Sequence, residues 1–234
     1  MKTPVTGDAI RQHMTYSWWK YVLVAVCAIF GVNMYFTVTA YRPPESKKVL
    51  IYVYGYANQD GLDAYMADIQ REHLPEMEEM RSLMLTADDT YGAMQLSTYI
   101  AASEGDVYVI PRDEFISLAS SGAFVALEED EELMKLFNDA GVNLQSGWRK
   151  NTELEENHLY GIPLNKLPGL AKKYVAVENG FVAVLINNQN DENVMKFLRL
   201  LCADMIPDPD AQSGTAQLFD LPATPENTTE PNAN

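Results

Sequence analysis

Cysteine, histidine and positive charge are all scarce in this 234-residue chain. Cys27 and Cys202 are its two cysteines, too few for a disulfide framework, and three scattered histidines do not make a zinc-binding pattern. Lys and Arg number 17 against 33 Asp and Glu, for a formal net charge of −16. That charge is unevenly placed. Residues 1–42 hold Lys2, Arg11, Lys20 and Arg42 against Asp8, a net +3, so the remainder carries −19. A body that acidic repels a phosphate backbone, which excludes nucleic-acid binding, and it gains nothing from anionic lipid. The chain has no Gly-rich phosphate loop, and no histidine is identifiable as a partner for Ser120 or Ser121. No catalytic residue, metal site or cofactor is therefore expected, and a non-enzymatic role follows.

Charge is missing altogether from Tyr21 to Tyr41, a run of 21 residues. At about 1.5 Å per residue a helix of that length spans roughly 31 Å, the thickness of a hydrocarbon core. Tyr16, Trp18, Trp19 and Tyr21 crowd one end, while Tyr35, Phe36 and Tyr41 mark the other, as interfacial aromatic belts do. Residues 18–41 are read as a transmembrane helix contacting the lipid bilayer, with 1–17 as a cytoplasmic tail. Basic residues flank the span three against three, so orientation rests on the short tail and on Lys20 at its boundary. Those place the body outside the cell membrane. Val38-Thr39-Ala40 also fits a cleavage site for a signal peptide, but the apolar stretch exceeds the usual 7–15 residues and favours an uncleaved anchor.

Beyond a stiff Pro43-Pro44 linker (42–47) the pattern alternates. Val49–Tyr54 is a continuous apolar run suited to a strand buried on both faces. Asp60 opens a helix with Leu62, Tyr65, Met66, Ile69 and His73 at helical spacing, interrupted at Pro75. Leu83–Leu85 reads as a second strand, and Asp88-Asp89-Thr90 starts a helix through Met94, Tyr99 and Ile100. Asp106–Ile110 is a third strand, and Arg112–Ser121 a third helix with Phe115, Leu118 and Ala119 inward and Gly122 at its end. Successive β-α units imply a largely parallel sheet covered by helices.

The second half changes character. Ala123–Leu127 is a short apolar run before an acidic helix around Leu133, Leu136 and Phe137, whose cluster Glu128–Glu132 suits a helix amino terminus. His158–Leu164 is one strand, placed at an edge by Pro163. Asn179-Gly180 between Tyr174–Val177 and Phe181–Ile186 predicts a β-hairpin. Val194, Phe197, Leu198, Leu201 and Met205 form the stripe of a last helix, with Cys202 as a core thiol. The fold class is thus α/β: an N-terminal transmembrane helix, then a single lobe (48–206) with a largely parallel sheet plus a hairpin. Residues 207–234 read as a disordered acidic tail, in which Leu218-Phe219-Asp220-Leu221 is a candidate docking motif. Asn227-Thr228-Thr229 matches a glycosylation sequon.

Several segments resemble one family. Gly105–Pro111, followed by Phe115 and then Leu118–Leu127, is similar to the "D-hydrophobic" strand, helix and "G-x-hydrophobic-x-x-L" segment of extracellular solute-binding proteins of bacterial ABC importers. Tyr160-Gly161-Ile162-Pro163-Leu164 resembles that family's Tyr-Gly-hydrophobic-Pro strand, and Asn187-Asn188 into Asn193–Leu201 its late helix. The resemblance implies a periplasmic-binding-protein-like lobe on the outer face of a membrane. It also implies a small solute as ligand and an ABC permease or other membrane protein as partner. Members of the family have two lobes and more chain, and here the second lobe is missing or reduced.

Ligands of open parallel sheets bind at the carboxyl ends of the strands. Four residues there become candidate ligand contacts. Tyr56 would stack on a ring, Asn58 and Asp88 would hydrogen-bond hydroxyls, and Arg112 would pair with a carboxylate. Three of them have an ordinary structural role open as well, Asp88 as a helix cap, Arg112 as a solvated first-turn residue and Tyr56 as a packed strand end. No second histidine lies one turn from His73, so the zinc pattern is absent, and Glu76, Glu78 and Glu79 read as a solvated surface rather than a calcium site, which needs an ordered oxygen loop with glycine. The rival to solute recognition is a degenerate lobe acting as a structural or protein-interaction module at the cell surface.

Overall fold

A computed structural model describes residues 7–88, 91–152, 155–186 and 190–208. The chain divides into two units, Met1–Arg42 and Pro43–Asn234. In the first, one helix (α1) covers Gly7–Thr39. Its apolar stretch Trp18–Thr39 is long enough to cross a membrane, and none of it is buried against the protein. The hydroxyls of Thr37 and Thr39 donate to the carbonyls of Asn33 and Tyr35, one turn back, so neither is left unbonded in an apolar medium.

The second unit is an α/β body. In chain order its elements are Lys48–Tyr54 (β1), Tyr56–Ala57 (β2), Gln59–His73 (α2), Glu79–Leu85 (β3), Tyr91–Ala101 (α3), Val107–Ile110 (β4) and Arg112–Ser120 (α4). Glu131–Asp139 (α5), Trp148–Lys150 (β5), Asn157–Leu159 (β6), Ile162–Pro163 (β7), Pro168–Lys173 (α6), Val175–Ala176 (β8), Phe181–Val184 (β9) and Asp191–Met205 (α7) follow. The main sheet has the order β3-β1-β4-β9-β7. β1 pairs parallel with both β3 and β4, while β9 runs antiparallel to its neighbours β4 and β7. Four of its five strands therefore point one way and β9 alone is reversed.

Strand residues alternate between two separate cores, as a period of two demands. Val49, Ile51, Val53, Val107, Val109, Val182 and Val184 face α2, α5 and α7, with Leu62, Met66, Phe137, Phe197 and Leu198 packed in. Leu50, Tyr52, Tyr54, Tyr108, Ile110, Phe181 and Ala183 face α3 and α4. On that side Tyr52 stacks on Tyr108, with ring centroids 5.3 Å apart. Gly105 stands at φ +80°, and a Cβ there would lie 2.3 Å from the Tyr52 ring, so backbone conformation and packing both require glycine.

The expected parallel sheet with helices on its faces is present. The expected hairpin is not. Val175–Ala176 pairs with Tyr56–Ala57 in a two-stranded sheet of its own, while Phe181–Val184 inserts between β4 and β7. The Asn179-Gly180 turn forms, with Asn179 at φ +49° and the Gly180 N–H on the Val177 carbonyl. All four residues of β9 are buried, Val182 and Val184 in one core and Phe181 and Ala183 in the other, which a free hairpin could not provide. The strand expected over His158–Leu164 is likewise two: β6 pairs with β5, and β7 joins the main sheet. The cap of α2 is Asn58 rather than Asp60, β3 is longer than Leu83–Leu85, and Leu118 is only half-buried.

Candidate functional site

The four residues expected at the strand ends have separate placements. Tyr56 lies in β2 with its side chain exposed. Asn58 caps α2, its Oδ1 accepting the Gly61 N–H at 3.2 Å, while its own N–H donates to the Tyr174 carbonyl at 2.7 Å. Asp88 caps α3 through the Tyr91 N–H at 2.8 Å, and its carbonyl accepts the Tyr54 hydroxyl at 3.1 Å. Arg112 opens α4 directly after β4, exposed to solvent. Of the four, Arg112 lines a cleft.

That cleft encloses about 260 Å³ where β4 and β7 end and the reversed β9 begins. Pro163, Val177 and Phe181 give it an apolar floor, and Arg112, Asn165 and Asn179 supply polar side chains. A pocket with apolar walls and a few polar groups is the usual form of a small-molecule site, and the carboxyl edge is its usual place. A second concavity, about 520 Å³, lies between α5 and α7 and is lined by Leu136, Ala140, Ala203 and Ile206 with Glu132 and Lys135 alongside. It is larger, but it sits on a helical face away from the strand ends.

Under the cleft lies an aromatic platform. Phe115 of α4 and Phe181 of β9 stack with centroids 4.3 Å apart and planes 7° from parallel. The guanidinium carbon of Arg149, on β5, stands 5.6 Å from the Phe115 centroid and 6.0 Å from that of Phe181. Its Nη1 donates to the Trp148 carbonyl at 2.6 Å, while its Nε is buried without a hydrogen-bond partner. Burial, and then the positive charge of Arg112, lower the Arg149 pKa below the ordinary arginine value.

Sequence reading missed Arg149, Asn165, Asn179 and Phe181 as site residues. Asn179-Gly180 was legible as a turn, but not its position at the mouth of a cleft. Arg149 lies in a three-residue strand with no periodicity to reveal it. The remaining charged clusters are engaged elsewhere. Glu78 pairs with Lys47, Glu79 with Arg81 and Glu76 with Lys196. Asp130 caps α5 through the Leu133 N–H at 2.9 Å. Burial raises the Cys202 thiol pKa, consistent with a core thiol. Among the described residues no group of three His, Cys, Asp or Glu side chains could hold a metal ion. The segments 218–221 and 227–229 lie outside the described residues.

No protein-family model matches the chain. No curated protein matches it either. Solved structures similar to it include an extracellular solute-binding protein family 1 member from Alicyclobacillus acidocaldarius, at 17% identity and a TM-score of 0.36, covering 52% of this chain and 29% of that one. The N-glycan transport solute binding protein of Streptococcus pneumoniae is similar at 19% identity and a TM-score of 0.35, covering 50% and 24%. RafE from Streptococcus pneumoniae is similar at 20% identity and a TM-score of 0.33, covering 53% and 29%. The first two are solute-binding proteins by name, the class that the sequence segments resemble. The likeness is partial, and this chain spans less than a third of each of those chains.

Proposed function

We propose that the body binds a small solute in the cleft at the carboxyl edge of its sheet, without chemistry on it. The observation that carries this reading is the gathering of Arg112, Asn165 and Asn179 around Phe181 in one concave site. In this reading residues 1–17 are a cytoplasmic tail, 18–41 an uncleaved anchor in the cell membrane, and 48–206 an extracellular domain. A solute captured there would pass to an ABC permease or another membrane protein beside the anchor. A second reading, a surface module that contacts a protein partner, is favoured by the apolar groove between α5 and α7.

A thermal-shift screen of the full chain in detergent against sugars, peptides and amino acids tests the first reading. A ligand that binds only the folded state adds about 2.7 kcal/mol of stability at a hundred times its dissociation constant. A reproducible shift that Phe181→Ala or Asn179→Ala diminishes supports recognition at the cleft. A folded protein with no shift across the panel moves the conclusion to the interaction module. Orientation has its own test. Ser46 is exposed just beyond the anchor, so Ser46→Cys should react with an impermeant maleimide on intact cells. Protection until lysis would place the body in the cytoplasm.

A further inference from the structure

We infer that the solute held at this cleft carries an oxyanion, and that Arg112 and Arg149 together recognise it. The inference rests on the proposed recognition at the cleft and names the chemistry of its ligand.

Among the arginines of this body, Arg71 pairs with Asp68, Arg81 with Glu79, and Arg199 with both Asp130 and Glu132. Arg112 and Arg149 have no carboxylate within 4 Å among the described residues, and Arg149 stands over Phe115, one turn along α4 from Arg112, where the Arg112 charge bears on it. Two like charges held together beside an apolar platform are unfavourable unless something negative is shared between them.

The geometry fits an anion with paired oxygens. Arg149 has five N–H donors. One is used by the Trp148 carbonyl, and Nε has no acceptor. A buried donor without an acceptor is destabilising until one arrives. The Phe115–Phe181 stack carries the guanidinium and restricts its orientation, so little freedom is lost when an acceptor arrives. Phe181 lines the cleft that Arg112 lines, and the restrained Arg149 guanidinium stands 6.0 Å from the centre of that same ring. A carboxylate or a phosphoryl group presents the paired oxygens that such a fork accepts.

Calorimetric titration of the full chain in detergent, at constant ionic strength, tests this with inorganic phosphate, glucuronate and neutral glucose. The expected result is that phosphate, glucuronate or both bind at least tenfold more tightly than glucose. Arg112→Gln and Arg149→Gln should each weaken that binding at least tenfold, and Arg149→Lys should restore part of it. Phosphate without glucuronate identifies a phosphoryl group, and glucuronate without phosphate a carboxylate. Arg112 is exposed, so Arg112→Gln decides the matter if Arg149→Gln fails to fold. Glucose binding as tightly as glucuronate, or anion binding that both glutamine variants leave intact, overturns the oxyanion while recognition at the cleft stands. No binding of any probe also overturns it, and the thermal-shift panel then decides the underlying reading separately.

Discussion

Asp106 and Leu50 hold each other at two points: the Asp106 carboxylate accepts the Leu50 N–H at 2.8 Å, and the Asp106 N–H donates to the Leu50 carbonyl at 3.1 Å. The pair locks the start of β4 against β1. Asp106 is almost wholly buried, and that burial pushes its carboxyl up to about 7. Glu45 and Asp191 push the same way, while the Leu50 hydrogen bond and Lys48 oppose them.

A carboxyl whose folded pKa exceeds its unfolded one binds its proton more tightly in the native state. Its contribution to stability is therefore full below about pH 4 and is lost as pH rises toward 7. The expected loss is on the order of 4 kcal/mol. Urea midpoints measured from pH 4.5 to 8 should fall across that window, and Asp106→Asn should flatten the profile. A wild-type midpoint that rises over the same range would show the carboxylate to be the favoured native form.

His158 adds a second slope in the same direction. Its Nδ1 lies 2.6 Å from Glu128 Oε1, and the other Glu128 oxygen accepts the Leu159 N–H at 2.8 Å. The hydrogen bond to Glu128 raises the histidine pKa above 6.5. The stabilisation is complete below the unfolded value and fades as pH climbs through the folded one. Glu128→Ala should cost roughly 2 kcal/mol at pH 6. NMR titration of His158 should show its midpoint falling in that variant.

Asp63 fastens α2 to β3. Its Oδ1 accepts both the N–H and the hydroxyl of Ser82, at 2.6 and 2.7 Å, and Ser82 is fully buried. Asp63→Ala strands two buried donors and should cost about 2–4 kcal/mol, whereas Asp63→Asn should recover part of that. Chemical denaturation measures both, and equal stability of the three proteins would refute the role.

Gly147→Ala should destabilise by about 3 kcal/mol or more. A Cβ at Gly147 would fall 1.9 Å from the Gly161 carbonyl oxygen, a backbone atom that no rotamer can move aside. Because Gly147 directly precedes β5, the platform beneath Arg149 should shift with it, readable as a change in Trp148 emission.

Where residues repeat at a clear period, the sequence was informative. The apolar run of β1, the stripe of α7 and the strand of β4 each stand close to where periodicity puts them, because local patterning suffices for buried elements. β5 was invisible, since a three-residue strand such as Trp148–Lys150 carries no measurable alternation. The hairpin failed for another reason: Asn179-Gly180 specifies a turn, while the partners of β8 and β9 are chosen by distant strands. The cleft was legible only through Arg112. Its other walls come from β7, β9 and the Asn179 turn, brought beside α4 by tertiary packing alone.

The reversed strand β9 also bears on how the body is made. Val107 of β4 waits for Val184, and Ile110 for Phe181, so one side of the sheet's middle strand stays open through synthesis of everything between them. An unpaired strand with apolar side chains on both faces is a template for association with other chains. Any fragment that stops before Phe181 exposes that edge. The body should therefore close late and as a whole, and chains truncated in its second half should aggregate rather than persist as smaller folded pieces.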